Sequence, residues 1–155
     1  MQQDIRLSAA SQADYPVLID VVHKAFEPDK RRFGQGPDFY EDPAALLPLL
    51  RAEDGCVRKL CLGEKTVGLI VTFAKTPTAR WLGCICLLPE WQGWGYGTRA
   101  LELLEEAYPN VTQWGLDTPA VNTLNLRFYQ KAGYRIVGEN ENPGGPKLAV
   151  LEKRL

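Results

Sequence analysis

The chain has 155 residues, 45% hydrophobic and 24% charged, with 18 basic against 19 acidic side chains and a formal net charge of -1. That is the composition of one soluble globular domain, 1–155, with a core of ordinary size. It excludes the basic stripe expected of a nucleic-acid binder, and no apolar run reaches the length of a membrane span.

The opening "MQQDIRLSAASQADY" lacks a basic region followed by an apolar stretch, so it does not read as a secretory signal, and a cytoplasmic location is expected. Within it "DIRLSAA" alternates apolar and polar residues and predicts a first strand. Ser11 with Asp14 reads as a helix cap followed by an early acid. Tyr15, Leu18, Ile19, Val22, Ala25 and Phe26 then recur at helical spacing, which predicts a helix from Gln12 to Phe26. "EPDKRRFGQGPDFYEDP" is dense in proline, glycine and charge and predicts a loop, with Lys30, Arg31 and Arg32 as solvated charges. Asp42-Pro43 is a helix start, and a short helix to Arg51 follows, bent or split at Pro48. "CVRKLCLGEKTVGLIVTFAK" predicts a hairpin around "GEKT", and "RWLGCICLLP" a further strand stopped by Pro89.

Cys56, Cys61, Cys84 and Cys86 all fall in or beside these strands without zinc-type spacing. They read as small buried hydrophobes in a reducing compartment, and no metal is expected. Beyond the glycines of "QGWGYG", Ala100, Leu101, Leu103, Leu104, Ala107 and Tyr108 oppose Arg99, Glu102, Glu105 and Glu106, an amphipathic helix. "VTQWGLD" predicts a strand, "NTLNLRFYQKAG" a helix closed by Gly133, and "YRIVGE" and "KLAVLEKRL" two last strands. The fold class is therefore α/β: a mixed sheet with helices on its faces, parallel about the strand–glycine loop–helix–strand unit and antiparallel at the hairpins.

Gly93, Gly95 and Gly97 stand where a strand hands over to a helix. The first N–H groups of a helix have no internal partners and its dipole there is positive. Bare backbone at that place suits a phosphate or pyrophosphate; a tight packing turn without ligand is the alternative. A Walker loop is excluded, because Thr98-Arg99 follows Gly97 and no lysine is present. A dinucleotide fingerprint is excluded by the G-x-G-x-G spacing, although Asp117 falls about where a ribose-binding acid would stand.

"ICLLPEWQGWGYGTRAL" resembles motif A of the GNAT superfamily of N-acetyltransferases, through Gln92, Gly95 and Gly97. "NTLNLRFYQKAGYRIVGE" is similar to that family's motif B, with Asn122, Phe128-Tyr129, Lys131 and Gly133-Tyr134. "IRLSAASQADYPVLIDVVHKAF" resembles its first strand and helix, so the likeness covers most of the chain in the right order. Asn125 departs from the small residue usual there.

The resemblance implies the GNAT fold: a twisted, largely antiparallel sheet of about seven strands, splayed at the cofactor strand and flanked by about four helices. It implies acetyl-CoA as donor and a primary amine as acceptor. Gln92, Gly93, Trp94, Gly95, Tyr96, Gly97 and Thr98 would supply backbone donors to the CoA pyrophosphate. Ile85, Leu87 and Leu88 would offer a strand edge to the pantetheine amides. The Leu87 N–H would polarise the thioester carbonyl, Asn122 would bond the pantetheine, and Tyr129 would protonate the departing thiolate. Asn122 also reads as a helix cap, and Tyr129 as a packing residue. A non-catalytic acyl-CoA-binding module on the same fold is the other reading.

No base is assigned. His23 reads as a surface or helix-packing residue; Glu90, Asp38, Glu41, Glu139 and Glu141 are carboxylates near the cofactor loop or in acceptor-side loops. Phe33, Phe39 and Tyr40 could wall an acceptor pocket, with Asp38, Glu41 and Asp42 attracting a cation. The identity of the amine is not legible, and a homodimer stays open.

Overall fold

A computed structural model describes residues 3–34, 38–52 and 56–155, with the Asp38 side chain outside that set. Period-two alternation in the strand segments builds one sheet of seven strands. They are β1 (Arg6–Ala9), β2 (Val57–Leu62), β3 (Lys65–Thr76), β4 (Ala79–Leu87), β5 (Gln113–Pro119), β6 (Arg135–Asn140) and β7 (Leu148–Arg154), in the spatial order β1-β2-β3-β4-β5-β7-β6. All neighbours are antiparallel except β4 and β5. The helices are α1 (Tyr15–Phe33), α2 (Asp38–Glu41), α3 (Leu46–Arg51), α4 (Tyr96–Ala107) and α5 (Thr123–Lys131).

The two faces of the sheet carry separate cores. Ile70, Leu82, Leu87, Trp114, Leu116 and Leu151 pack with Leu101 and Leu104 of α4. Leu69, Val71, Cys84 and Cys86 pack with Leu18, Val21 and Val22 of α1 and Leu46 and Leu50 of α3. All four cysteines are free and buried, as small hydrophobes. Each fully buried leucine contributes about 2 kcal/mol of apolar burial, so these interleaved rows hold the helices to their faces.

Helix α1 is longer than its sequence predicts. Residues 27–33 continue it in place of the expected loop. Pro28 lacks an N–H and disfavours helix in the residue before it, which normally marks a boundary. The continued turn carries contacts at its end: Arg31 pairs with Glu27 at 2.6 Å, Lys30 with Glu41 at 2.7 Å, and the left-handed Gly34 N–H donates to the Lys30 carbonyl. Lys30, Arg31 and Arg32 thus sit at the negative end of a helix dipole rather than in a loop. The one-turn α2 also forms within the segment whose composition predicts a loop. Pro48 falls in the first turn of α3, after a short 3-10 turn at Pro43–Ala45, where its missing N–H costs little.

Ahead of α1, the Ser11 N–H donates to the Asp14 carboxylate at 2.8 Å, and Lys59 of β2 pairs with Asp14 at 3.1 Å. Burial pushes the Asp14 carboxyl up, but these donors outweigh it and hold the group below its ordinary 3.8. Stability from Asp14 is therefore present above pH 3.8 and lost as the pH falls through the lowered native value. Asp14→Ala is expected to cost about 1 kcal/mol near neutral pH. Chemical denaturation should find the difference from wild type shrinking in acid.

Candidate functional site at the splayed strands

Strands β4 and β5 pair only at Ala79↔Gln113, Arg80↔Trp114 and Trp81↔Gly115. Beyond that point they part. At the point of departure β4 carries an extra residue. The β3–β4 register shifts between Val71 and Thr72, so that Leu82 faces Thr72, Cys84 faces Val71 and Gly83 is left over. A bulge bends its strand and adds twist. Here it also moves Cys84 to the face opposite Leu82, where it joins the α1 core.

The gap exposes backbone. The Leu88 N–H donates to the Val67 carbonyl of β3 at 2.8 Å. Antiparallel strands send alternate N–H groups to opposite sides, so the Leu87 and Ile85 N–H groups face away from β3 and into the gap. The Leu87 carbonyl, on that same side, accepts from Gln92 Nε2 at 2.9 Å. Gln92 therefore braces the strand end with its side chain, while its own N–H is taken by the Pro89 carbonyl. Leu88 points its side chain into the α1 core.

The glycine loop runs from the end of β4 to α4, and its glycines serve two different ends. Gly93 and Gly95 have φ of 81° and 85°, the left-handed region, and a Cβ on either would meet no atom within 4 Å. Their bare sides face open space in a cleft. Gly97 lies inside the first turn of α4, and a Cβ there would come within 3.0 Å of the Phe128 ring of α5. It permits close helix packing. The first α4 bond from this loop is Arg99 N–H to the Gly95 carbonyl at 3.1 Å. The N–H groups of Tyr96, Gly97 and Thr98 are thus the unpaired donors of the helix start. Tyr96 turns its ring into the core, its hydroxyl donating to the Gln3 carbonyl at 2.9 Å, and Trp94 stays exposed beside Trp91.

Helix α5 closes the gap. Asn122 is its N-cap, accepting from the Asn125 N–H at 3.2 Å, and is buried. Asn125 Nδ2 donates to Thr118 Oγ1 at 3.2 Å, which ties α5 to β5; this is the use of the residue that departs from the family pattern. Tyr129 is 8% exposed and packs on Phe128 and Tyr134. Burial first, and then the nearby Cys84 and Tyr134, push its phenol far above the ordinary 10.0, so it stays protonated through the neutral range.

Two connected cavities follow. One, of about 680 Å³, is lined by Ile85, Leu87, Gln92, Gly93, Gly95, Gly97, Thr98, Asn122 and Tyr129, with Asp29 and Arg32 of α1 on its far wall. The other, of about 230 Å³, continues past Tyr129 between Phe26, Asp29 and Phe33 of α1 and Asp117, Pro119 and Leu148. Ile85, Asn125, Tyr129, Phe26 and Asp29 line both.

Of the suggested acceptor residues, Phe33 lines the smaller cavity, whereas Phe39 and Tyr40 pack in the α1–α3 core. His23 is exposed and stacks on Tyr40 at 4.9 Å. Glu41 pairs with Lys30, Glu141 with Lys147 at 3.6 Å, and Glu139, Glu90 and Asp42 are exposed away from both cavities. Asp29 is the carboxylate that sequence reasoning misses. Its spacing from Phe26 and Phe33 is the available signal, hidden because the composition of the segment reads as a loop. Among the described residues no group of His, Cys, Asp or Glu could hold a metal, and no described helix is long and apolar enough to cross a membrane.

A family model described as Acetyltransferase (GNAT) family matches residues 19–134. The fold is similar to an acetyltransferase from Thermus thermophilus, at TM-score 0.78 and 24% identity over 98% of this chain and 97% of that one. It is similar to a PaiA N-acetyltransferase from Thermoplasma acidophilum in complex with coenzyme A, at TM-score 0.79 and 16% identity over 98% and 99%. It is also similar to the ribosomal-protein-S18-alanine N-acetyltransferase from Escherichia coli, at TM-score 0.72 and 17% identity over 97% and 93%. No curated protein matches the chain.

Proposed function

The chain belongs to the acetyltransferase (GNAT) family, and on that premise we propose that it transfers the acetyl group of acetyl-CoA directly to a primary amine. One observation carries the reading. The parting of β4 from β5 opens onto the Leu87 N–H, the Tyr129 phenol and the glycine-led start of α4 in a single cleft. The larger cavity fits a CoA moiety on three counts: the unpaired N–H groups of Tyr96, Gly97 and Thr98, the open space at Gly93 and Gly95, and a free strand edge at Ile85 and Leu87.

Bound acetyl-CoA supplies an activated acetyl thioester. The residues of this chain do the rest. The Leu87 N–H, fixed by the β3 ladder and the Gln92 brace, is a preorganised donor for negative charge developing on a carbonyl oxygen in the gap. Such a donor is worth about 3 kcal/mol of barrier. Tyr129 holds its proton at the hydroxyl and offers it to a departing sulfur. Burial keeps that hydroxyl protonated through the neutral range, so the proton is present when the sulfur departs. Asn122 fixes the α5 start, and with it the place of Tyr129.

The test is release of free thiol from acetyl-CoA against a panel of amines spanning antibiotics, polyamines, amino acids and peptide termini. Amine-dependent release with a matching N-acetyl product by mass spectrometry is expected. Tight acetyl-CoA binding with no turnover of any amine would instead favour a non-catalytic module.

A further inference from the structure

We infer that Asp29 is the acceptor-recognition residue, and that the cavity around it selects a small primary monoamine with a flat apolar arm. The inference rests on the acetyltransferase reading and names its substrate class.

Phe26, Asp29 and Phe33 are spaced by three and four residues on α1, one stripe of a helix. The stripe presents ring, carboxylate and ring to the smaller cavity. Across from it Pro119, Pro146 and Leu148 supply apolar surface, interspersed with the polar Thr118 and Asn142. A primary ammonium drawn to Asp29 would have its carbon arm between these walls, with Tyr129 and Ile85 in the same lining. It gives one proton to solvent before its nitrogen attacks. The C–N bond forms as the C–S bond breaks, and the proton then shed from nitrogen replaces the one Tyr129 gives to sulfur.

The alternatives are disfavoured by what surrounds the site. A polycation needs several available carboxylates. Asp117, the other acid lining this cavity, acts electrostatically on the Tyr129 phenol. Glu41 is turned to Lys30 outside it. The lobe beside the aromatic stripe is about 230 Å³, below the roughly 300 Å³ at which pockets begin to hold drug-sized ligands, and it joins the larger cavity at Asp29 and Tyr129. Burial raises the Asp29 carboxyl above its ordinary 3.8, only partly offset by Arg32. A half-buried carboxylate gains more from an entering ammonium than a fully solvated one does.

The experiment uses the full chain, acetyl-CoA and four probes: 2-phenylethylamine, spermidine, kanamycin and a tetrapeptide with a free N-terminal alanine. For 2-phenylethylamine we expect kcat/KM about ten-fold or more above the others. Asp29→Asn should raise its KM on the order of 30-fold, as loss of a charged hydrogen bond does, with kcat little changed. Acetyl-CoA affinity by calorimetry should be unaltered, and Asp29→Glu should recover part of the loss. Preference for spermidine, kanamycin or the peptide overturns the inference, as does an unchanged KM in Asp29→Asn. Should no amine turn over, saturation-transfer NMR on the CoA-saturated protein still decides it. Signals from 2-phenylethylamine that vanish in Asp29→Asn support the site even as the enzymatic reading fails, and signals equal in both proteins overturn it.

Discussion

Gly95→Val is expected to abolish acetyl-CoA binding while leaving a folded protein. Gly95 has φ of 85°, and a Cβ there would meet nothing within 4 Å. The native fold therefore loses only the left-handed strain of a side chain, about 1–2 kcal/mol. The binding loss has a different origin. The valine methyl groups would fill the space that the α4 N–H donors face, and an anion could no longer reach them. The expected drop in affinity is on the order of 100-fold or more, the equivalent of about 3 kcal/mol. Calorimetry with acetyl-CoA reads the affinity, and thermal melting reads the strain. Gly144, with φ of 79° and no neighbour within 4 Å of a Cβ, lines neither cavity. Gly144→Val should match the stability loss and keep the affinity. Wild-type affinity in Gly95→Val would remove the loop from the cofactor site.

Tyr129→Phe should lower kcat by about 10²–10³ and leave acetyl-CoA affinity near wild type. The ring is buried among Phe128, Tyr134 and the β4–β5 gap, and phenylalanine preserves that packing. Only the hydroxyl proton is lost. Rapid-mixing kinetics with saturating amine should place the loss in the acetyl-transfer step. A variant with normal turnover would leave Tyr129 as a packing residue. A variant that fails to bind acetyl-CoA would mark the hydroxyl as a ligand contact instead of an acid. Because the phenol stays protonated through the neutral range, its titration should not limit wild-type activity on the alkaline side below its ordinary 10.0.

The two glycine substitutions that look alike in sequence, at 95 and 97, should therefore behave differently. Gly97 is hemmed by Phe128 at 3.0 Å, so a side chain there would push α4 from α5. The alternation of "QGWGYG" suggests one purpose for all three glycines. The distinction between a bare loop and a close helix contact depends on α5, which lies more than twenty residues away in the chain.

The elements themselves are largely legible. Period-two and helical spacing are local, and each predicted strand and the helices of motifs A and B appear within a few residues of their expected bounds. The departure is at Glu27–Phe33. Proline, glycine and charge are local loop signals, yet the helix runs through them to the Gly34 cap, with Phe26 packed on the core beneath α1. That one boundary hides Asp29, because a carboxylate three residues from one phenylalanine and four from another has no common face unless the segment is helical.

By itself the sequence determined the family, the order of strands and helices, and the residue types at the glycine loop and along α5, since these rest on short-range pattern. The tertiary structure alone decided which backbone groups are free. The bulge at Gly83 and the three-pair contact of β4 with β5 set the side to which the Leu87 N–H points. Only the packing of α1 across that opening brought Phe26, Asp29 and Phe33 to face Tyr129. Register and helix placement are sums over long-range contacts, and no window of the chain contains them.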